Sequence, residues 1–293
     1  MGRDIFSTKE LSEQIYNPEF ALVDIRPSAA YNGWKLRDEV RGGHIHGAVS
    51  FPLSWIKDLS KPNLETLLVS KGIASMNAII LYGYKGDSCS VMARMLWDFG
   101  IRKVFIYQAG LQEWAADISL PMDYLVNYEK LVYAEWLNQL IVSRKYYPER
   151  RQGLFEVNWG GVEEYKTGHI PGAIHLDLSS IESPQSWNKC SDDDLLEFFL
   201  SLGITCKSLV VLYSRDIMAA ARAACIMMYA GVEDVRILDG GYNSWLNAGF
   251  AIETGAQQPV PVETFGQGIP GHPEYIIGID AAKELLADQN GML

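Results

Sequence analysis

Two stretches of this 293-residue chain place the residue types of anion chemistry where a strand hands over to a helix. Gly83-Tyr84-Lys85-Gly86-Asp87-Ser88 follows the apolar run 79–82, and Ser214-Arg215-Asp216-Ile217-Met218-Ala219 follows the apolar run 209–213. At such a junction, backbone N–H groups and the positive end of the helix macrodipole favour a small oxyanion. Lys85 or Arg215 adds charge to that field, whereas Asp87 and Asp216 oppose it. The cysteines are Cys89, Cys190, Cys206 and Cys225. Cys89-Ser90-Val91-Met92-Ala93-Arg94 imitates a C-x4-R loop, while Cys225 lies mid-helix beside Ile226, Met227 and Met228 and reads as core. Cys190 precedes a helix cap and reads as a surface or packing residue. Cys206 sits in a turn where nothing nearby activates it. No C-x-x-C pair occurs, and His44 and His46 form the one close histidine pair, without further ligands nearby. No metal and no cofactor are expected.

The elements that must hold these stretches come in two copies. A shift of 131 residues aligns Gly72-Ile73 with Gly203-Ile204, Ile79-Ile80-Leu81-Tyr82 with Val210-Val211-Leu212-Tyr213, Gly110 with Gly241 and Trp114 with Trp245, without a gap. At nearly the same offset, Gly43-His44-Ile45-His46-Gly47-Ala48 matches Gly168-His169-Ile170-Pro171-Gly172-Ala173. Leu22-Val23-Asp24-Ile25-Arg26 likewise matches Leu154-Phe155-Glu156-Val157-Asn158. Short apolar runs bounded by turn residues suit strands buried on both faces. Helical patterns lie between them: Ser191 as N-cap, three acids, then Leu195, Leu196, Phe199 and Leu202 before Gly203. Such alternation predicts a small parallel sheet flanked by helices on both faces, an α/β fold, twice over. The expected divisions are 1–125 and 126–254, followed by an exposed Pro/Gly linker over 255–274. From 275 to 293 the chain turns regular again, and Lys283-Glu284-Leu285 echoes Lys9-Glu10-Leu11, as the opening of a third copy would.

The G-H-I-(P)-G-A turn, the Leu-Tyr strand end and Asp239-Gly240-Gly241-Tyr242-Asn243-Ser244-Trp245 together resemble rhodanese domains, the modules of thiosulfate and mercaptopyruvate sulfurtransferases. The first copy has the looser Gln108-Ala109-Gly110 with Trp114. The layout is most similar to bacterial rhodanese-like proteins with three such domains, catalysis lying in the last. The resemblance implies transfer of sulfane sulfur from a thiosulfate-like donor through a cysteine that opens the strand-to-helix loop. It places that cysteine seventeen residues before the glycine that ends the helix. Counting back from Gly100 reaches Gly83, and counting back from Gly231 reaches Ser214. Glycine has no side chain to carry sulfur, and a serine hydroxyl forms no stable persulfide. Cys89 falls opposite Ala220, inside the first helical turn and away from the loop's focus, and reads as a packing residue. Both copies are therefore expected to be inactive, their loops retaining at most sulfate or thiosulfate binding. Asp24, with Arg26, is expected to tie down neighbouring loops, and His44 and His169 to act as hydrogen-bonding turn residues.

Composition narrows the alternatives. With 25 Lys+Arg against 36 Asp+Glu the formal charge is −11, which speaks against a nucleic-acid partner. No run of apolar residues is long enough to span a membrane. The expectation is a soluble protein, cytoplasmic, or periplasmic had a signal peptide been removed. Two roles stay open: the non-catalytic part of a sulfurtransferase that serves a sulfur-acceptor protein, or a scaffold of paired inactive domains that binds a partner. An enzyme working through Cys89, or one using related phosphatase chemistry, ranks behind both.

Overall fold

The computed structural model describes residues 5–56, 61–73, 78–85, 89–143, 151–183 and 188–287. The chain divides into two compact units, Met1–Glu129 and Lys130–Leu293. Unit 1 runs β1 (Ile5–Phe6), α1 (Thr8–Gln14), β2 (Phe20–Asp24), α2 (Ser28–Asn32), β3 (His44–Ile45), β4 (Val49–Ser50), α3 (Lys61–Ser70), β5 (Ala78–Tyr82), α4 (Cys89–Asp98), β6 (Val104–Tyr107), α5 (Gly110–Ala116) and β7 (Met122–Asp123). Unit 2 runs β8 (Leu131–Val132), α6 (Ala134–Ser143), β9 (Gln152–Asn158), α7 (Glu163–Thr167), β10 (Ile174–Asp177), β11 (Glu182–Ser183), β12 (Asn188–Lys189), α8 (Asp192–Ser201), β13 (Leu209–Tyr213), α9 (Ile217–Ala230), β14 (Asp234–Leu238), α10 (Gly241–Asn247) and α11 (Ile279–Ala287).

Each unit is built on a five-stranded, wholly parallel sheet. Its order is β1-β6-β5-β2-β4 in unit 1 and β8-β14-β13-β9-β10 in unit 2, so the sequence repeat is also a repeat of topology. The central strands explain the apolar runs: all five residues of β5 and all five of β13 are buried, as helices on both faces require. Register then brings each acid beside a tyrosine at the strand end, with Asp24 opposite Tyr82 and Glu156 opposite Tyr213.

The helices close these sheets as their sequences suggest. Ser191 caps α8 by accepting from the Asp194 N–H, and Leu195 and Phe199 point into the unit 2 core. In unit 1, Leu64 and Leu68 of α3 do the same. Trp114 and Trp245 are fully buried, their indole N–H groups donating to Pro121 O at 3.0 Å and Ala251 O at 2.9 Å. The glycines ahead of them are forced. Gly110 and Gly241 have φ of +77° and +55°, and a Cβ on Gly241 would strike the carbonyl oxygen of Ser214.

The Pro/Gly-rich segment is mostly exposed, yet it is more than a tether. Phe265 is 2% exposed and joins the unit 2 core. Arg151 holds Val260 O at 2.7 Å, and Gln267 donates to Gly231 O at 3.1 Å. Helix α11 beyond it contributes no buried residue, and Ile279 and Leu286 are 76% and 72% exposed. Among the described residues, no helix is long and apolar enough to cross a membrane.

Candidate functional site

The carboxyl ends of parallel strands are where an α/β sheet presents its loops to ligands. In each unit this edge is organised by a buried carboxylate. In unit 1 it is Asp24, the last residue of β2, with no solvent exposure. Asp24 accepts from Tyr82 Oη at 2.9 Å and from Arg26 Nε and Nη2 at 3.0 and 2.6 Å. The same guanidinium donates to Gly43 O at 2.6 Å, pinning the G-H-I turn to the strand end. Burial works against the Arg26 charge, but Asp24 more than offsets it, and the Arg26 pKa lies above its ordinary value.

Unit 2 makes the same cluster from different residues. Glu156, also without solvent exposure, accepts from Tyr213 Oη at 2.8 Å. Position 158 is asparagine, and the cation is Arg215 from the strand-to-helix loop. Its Nε lies 3.1 Å from Glu156 Oε1, its Nη2 donates to Gly168 O at 2.6 Å, and its guanidinium stacks on the Tyr242 ring at 4.0 Å. Arg26 and Arg215 thus reach one place in the fold from two places in the sequence. The corresponding loop position in unit 1 holds Tyr84, which packs against the Arg26 and Arg37 guanidiniums at 5.1 and 4.2 Å and donates to Glu39 at 2.8 Å.

The turns repeat the pairing. His44 Nδ1 bonds Tyr31 O at 2.8 Å with its ring stacked on Tyr31, and His169 Nδ1 bonds Tyr165 O at 3.0 Å with its ring stacked on Tyr165. Tyr31 and Tyr165 donate in turn to Ala48 O and Ala173 O. Burial holds the His44 imidazole below its ordinary pKa even though the Tyr31 carbonyl favours its charged form.

The loops themselves differ. In unit 2, Ser214 is buried and its hydroxyl donates to Asp216 O. Asp216 caps α9, its carboxylate accepting from the Met218 N–H at 3.0 Å. Ile217, Met218 and Ala219, read from sequence as loop, are the first residues of that helix. In unit 1, Gly83 O accepts from the Leu111 N–H at 2.8 Å, and the Lys85 N–H donates to Gln112 at 2.9 Å. Gly86, Asp87 and Ser88 lie outside the described residues. Tyr84, Lys85 and Cys89 line a cleft of about 940 Å³ together with Thr8 and Tyr107. The Tyr107 hydroxyl is pushed up to about 12 by burial, and Thr8 Oγ1 lies 2.9 Å from it.

Cys89 opens α4 and is 5% exposed, packed in the unit 1 core. Cys206, placed in a turn by its sequence, is buried in the core of unit 2. Cys225 is partly buried, its Sγ 3.8 Å from Tyr275 O, and Cys190 packs at the edge of the same core. Among the described residues, no group of three or more His, Cys, Asp or Glu side chains is arranged to hold a metal ion.

Two parallel five-stranded α/β units with the same strand order, each with an acid–tyrosine–arginine cluster beside a strand-to-helix loop, define a tandem arrangement of one domain type. The model of the rhodanese-like domain matches the chain twice, at residues 7–117 and 136–248, and the chain belongs to that family. It is 34% identical over 284 residues to the thiosulfate sulfurtransferase YnjE of Escherichia coli (strain K12), a match covering 96% of this chain and 64% of that protein. The thiosulfate sulfurtransferase of Rattus norvegicus is 28% identical over 152 residues, covering 48% of this chain and 50% of its own length. Among solved structures, wild-type EanB superposes with a TM-score of 0.91 at 37% identity, covering 99% of this chain and 70% of that one. The anaerobic ergothioneine biosynthesis enzyme from Chlorobium limicola, solved with trimethyl histidine, gives the same TM-score and identity over 99% and 71%. The chain therefore spans less than two thirds of the length of the curated relatives it matches.

Proposed function

We propose that these two units are the non-catalytic tandem part of a thiosulfate sulfurtransferase, supporting a sulfur-carrying cysteine that lies outside them. The observation that carries this reading is the content of the two nucleophile slots. Gly83 offers no side chain, and Ser214 is a buried hydroxyl bonded to its own loop. Sulfane sulfur transfer needs a thiolate that can hold a persulfide, and neither residue can become one. Family membership and the curated relatives' names supply the reaction class, and YnjE supplies the length in which a further domain fits.

Helix α11 supports the same reading. In α1 and α6, Leu11 and Leu137 are fully buried, Leu11 in the unit 1 core. In α11 the echoing Leu285 is only partly buried, and the apolar residues around it face outwards. An opening helix whose sheet is supplied by following residues has this pattern. The units' contribution is to hold that domain and its acceptor in place.

The test is an assay of the chain with thiosulfate and cyanide, reading thiocyanate. The wild-type chain and Cys89→Ser are expected to match the uncatalysed mixture. Turnover that disappears in Cys89→Ser refutes the proposal.

A further inference from the structure

A cysteine at position 214 is the smallest change that could return sulfur transfer to unit 2. We infer that it is insufficient, because Asp216 and Arg215 close the loop so that the slot meets acceptors and negative charge where the reaction needs donors. This inference rests on the non-catalytic reading above and adds the device that enforces it.

Persulfide formation has simple requirements. A thiolate attacks the outer sulfur of thiosulfate, the S–S bond of thiosulfate breaks, sulfite leaves with the electron pair, and the protein keeps Cys–S–S⁻. The incoming donor is a dianion and the nucleophile an anion, so convergent N–H groups must meet both.

Three features of unit 2 work against this. Helix α9 starts three residues after the slot, at Ile217. Two N–H groups at the start of the helix are consumed within it. Met218 N donates to Asp216 Oδ1 at 3.0 Å, and Ala219 N donates to Asp216 O at 3.1 Å. The Asp216 carboxylate therefore occupies the positive end of the helix dipole, where the dianion would have to approach.

The slot is also oriented the wrong way. Ser214 Oγ donates to the Asp216 carbonyl, so the side chain at this position faces an acceptor. A hydroxyl satisfies that acceptor. A thiolate in the same rotamer would be repelled by it.

Arg215, finally, is not free to compensate. Its guanidinium is shared among the Glu156 and Glu164 carboxylates at 3.1 and 3.6 Å, Gly168 O at 2.6 Å and the Tyr242 ring at 4.0 Å. Two carboxylates, Glu156 and Glu164, already face its charge, leaving none in excess for an anion at the loop.

The test compares wild type, Ser214→Cys and Ser214→Cys/Asp216→Gly, each treated with thiosulfate, then weighed intact and assayed for thiocyanate. Ser214→Cys is expected to gain no sulfur atom and to match wild type in turnover. The double variant is expected to take up one sulfur at least about tenfold faster. A parallel titration of the wild-type chain with thiosulfate, followed by amide NMR, is expected to leave residues 214–219 unshifted, which decides the matter even if a variant folds poorly. Equal labelling of the single and double variants overturns the inference, as does saturable shifting of those wild-type amides. Turnover by the wild-type chain is a different result, and it would count against the non-catalytic reading itself.

Discussion

Removing the Arg215 side chain beyond Cβ strands a charge. In Arg215→Ala, Glu156 keeps its Tyr213 hydrogen bond but loses its cation while remaining fully buried. Loss of one partner from a buried ion pair costs about 3–5 kcal/mol, because the survivor is left desolvated and uncompensated. The Arg215 side chain is 26% exposed, so water partly replaces it and the lower figure of about 3 kcal/mol applies. Arg26, with no exposure, sits at the upper end, and Arg26→Ala should cost about 4–5 kcal/mol in unit 1. The signature that separates a stranded charge from lost packing is rescue. Adding Glu156→Gln to Arg215→Ala should return about 1–2 kcal/mol, since no buried charge then remains. Urea unfolding followed by tryptophan fluorescence reads both effects, Trp114 and Trp245 each being buried in their own unit. A cost below about 0.5 kcal/mol for Arg215→Ala, the range of an ordinary surface substitution, would refute the clamp. Failure of Glu156→Gln to rescue would refute its electrostatic origin.

Further expectations follow from the same contacts. Gly241→Ala should destabilise unit 2 by about 2–4 kcal/mol, because the left-handed backbone and the Ser214 carbonyl both reject a Cβ; a thermal melt close to wild type would contradict this. Phe265→Ala should cost about 3–5 kcal/mol and expose 255–274 to limited proteolysis, and unchanged cleavage would mean the segment is not anchored. His44 is held below its ordinary pKa by burial, so the unfolded chain binds its proton first. Stability should therefore fall as pH drops below about 6.5. His44→Gln should flatten the pH dependence between 7 and 5, and an unchanged slope would show that His44 does not contribute.

How much of this was readable beforehand depends on whether the signal was local. The strands were readable because β5 and β13 are buried on both faces and appear as unbroken apolar runs. Ser191 announced α8 because capping is a property of adjacent residues. The arginine clamp left no such trace. Arg26 lies two residues past its acid and Arg215 lies 59 residues past its own, so no alignment equates them, although they meet the same groups in space. Reading Arg215 as a free cation for an oxyanion missed that Glu156 already uses it. Asp216 carries a second signal beside the charge that opposes the loop's field, as a good helix-capping type. Its cap starts the helix at Ile217 and shortens the loop. Phe265, a lone aromatic among prolines and glycines, was the available hint that 255–274 is anchored.

The most direct test of the central claim is intact-mass measurement of the wild-type chain after incubation with excess thiosulfate and removal of free donor. The two slots hold Gly83 and Ser214, and Cys89 is buried, so the mass should be unchanged. Stoichiometric gain of one sulfur atom, reversed by cyanide, would contradict it.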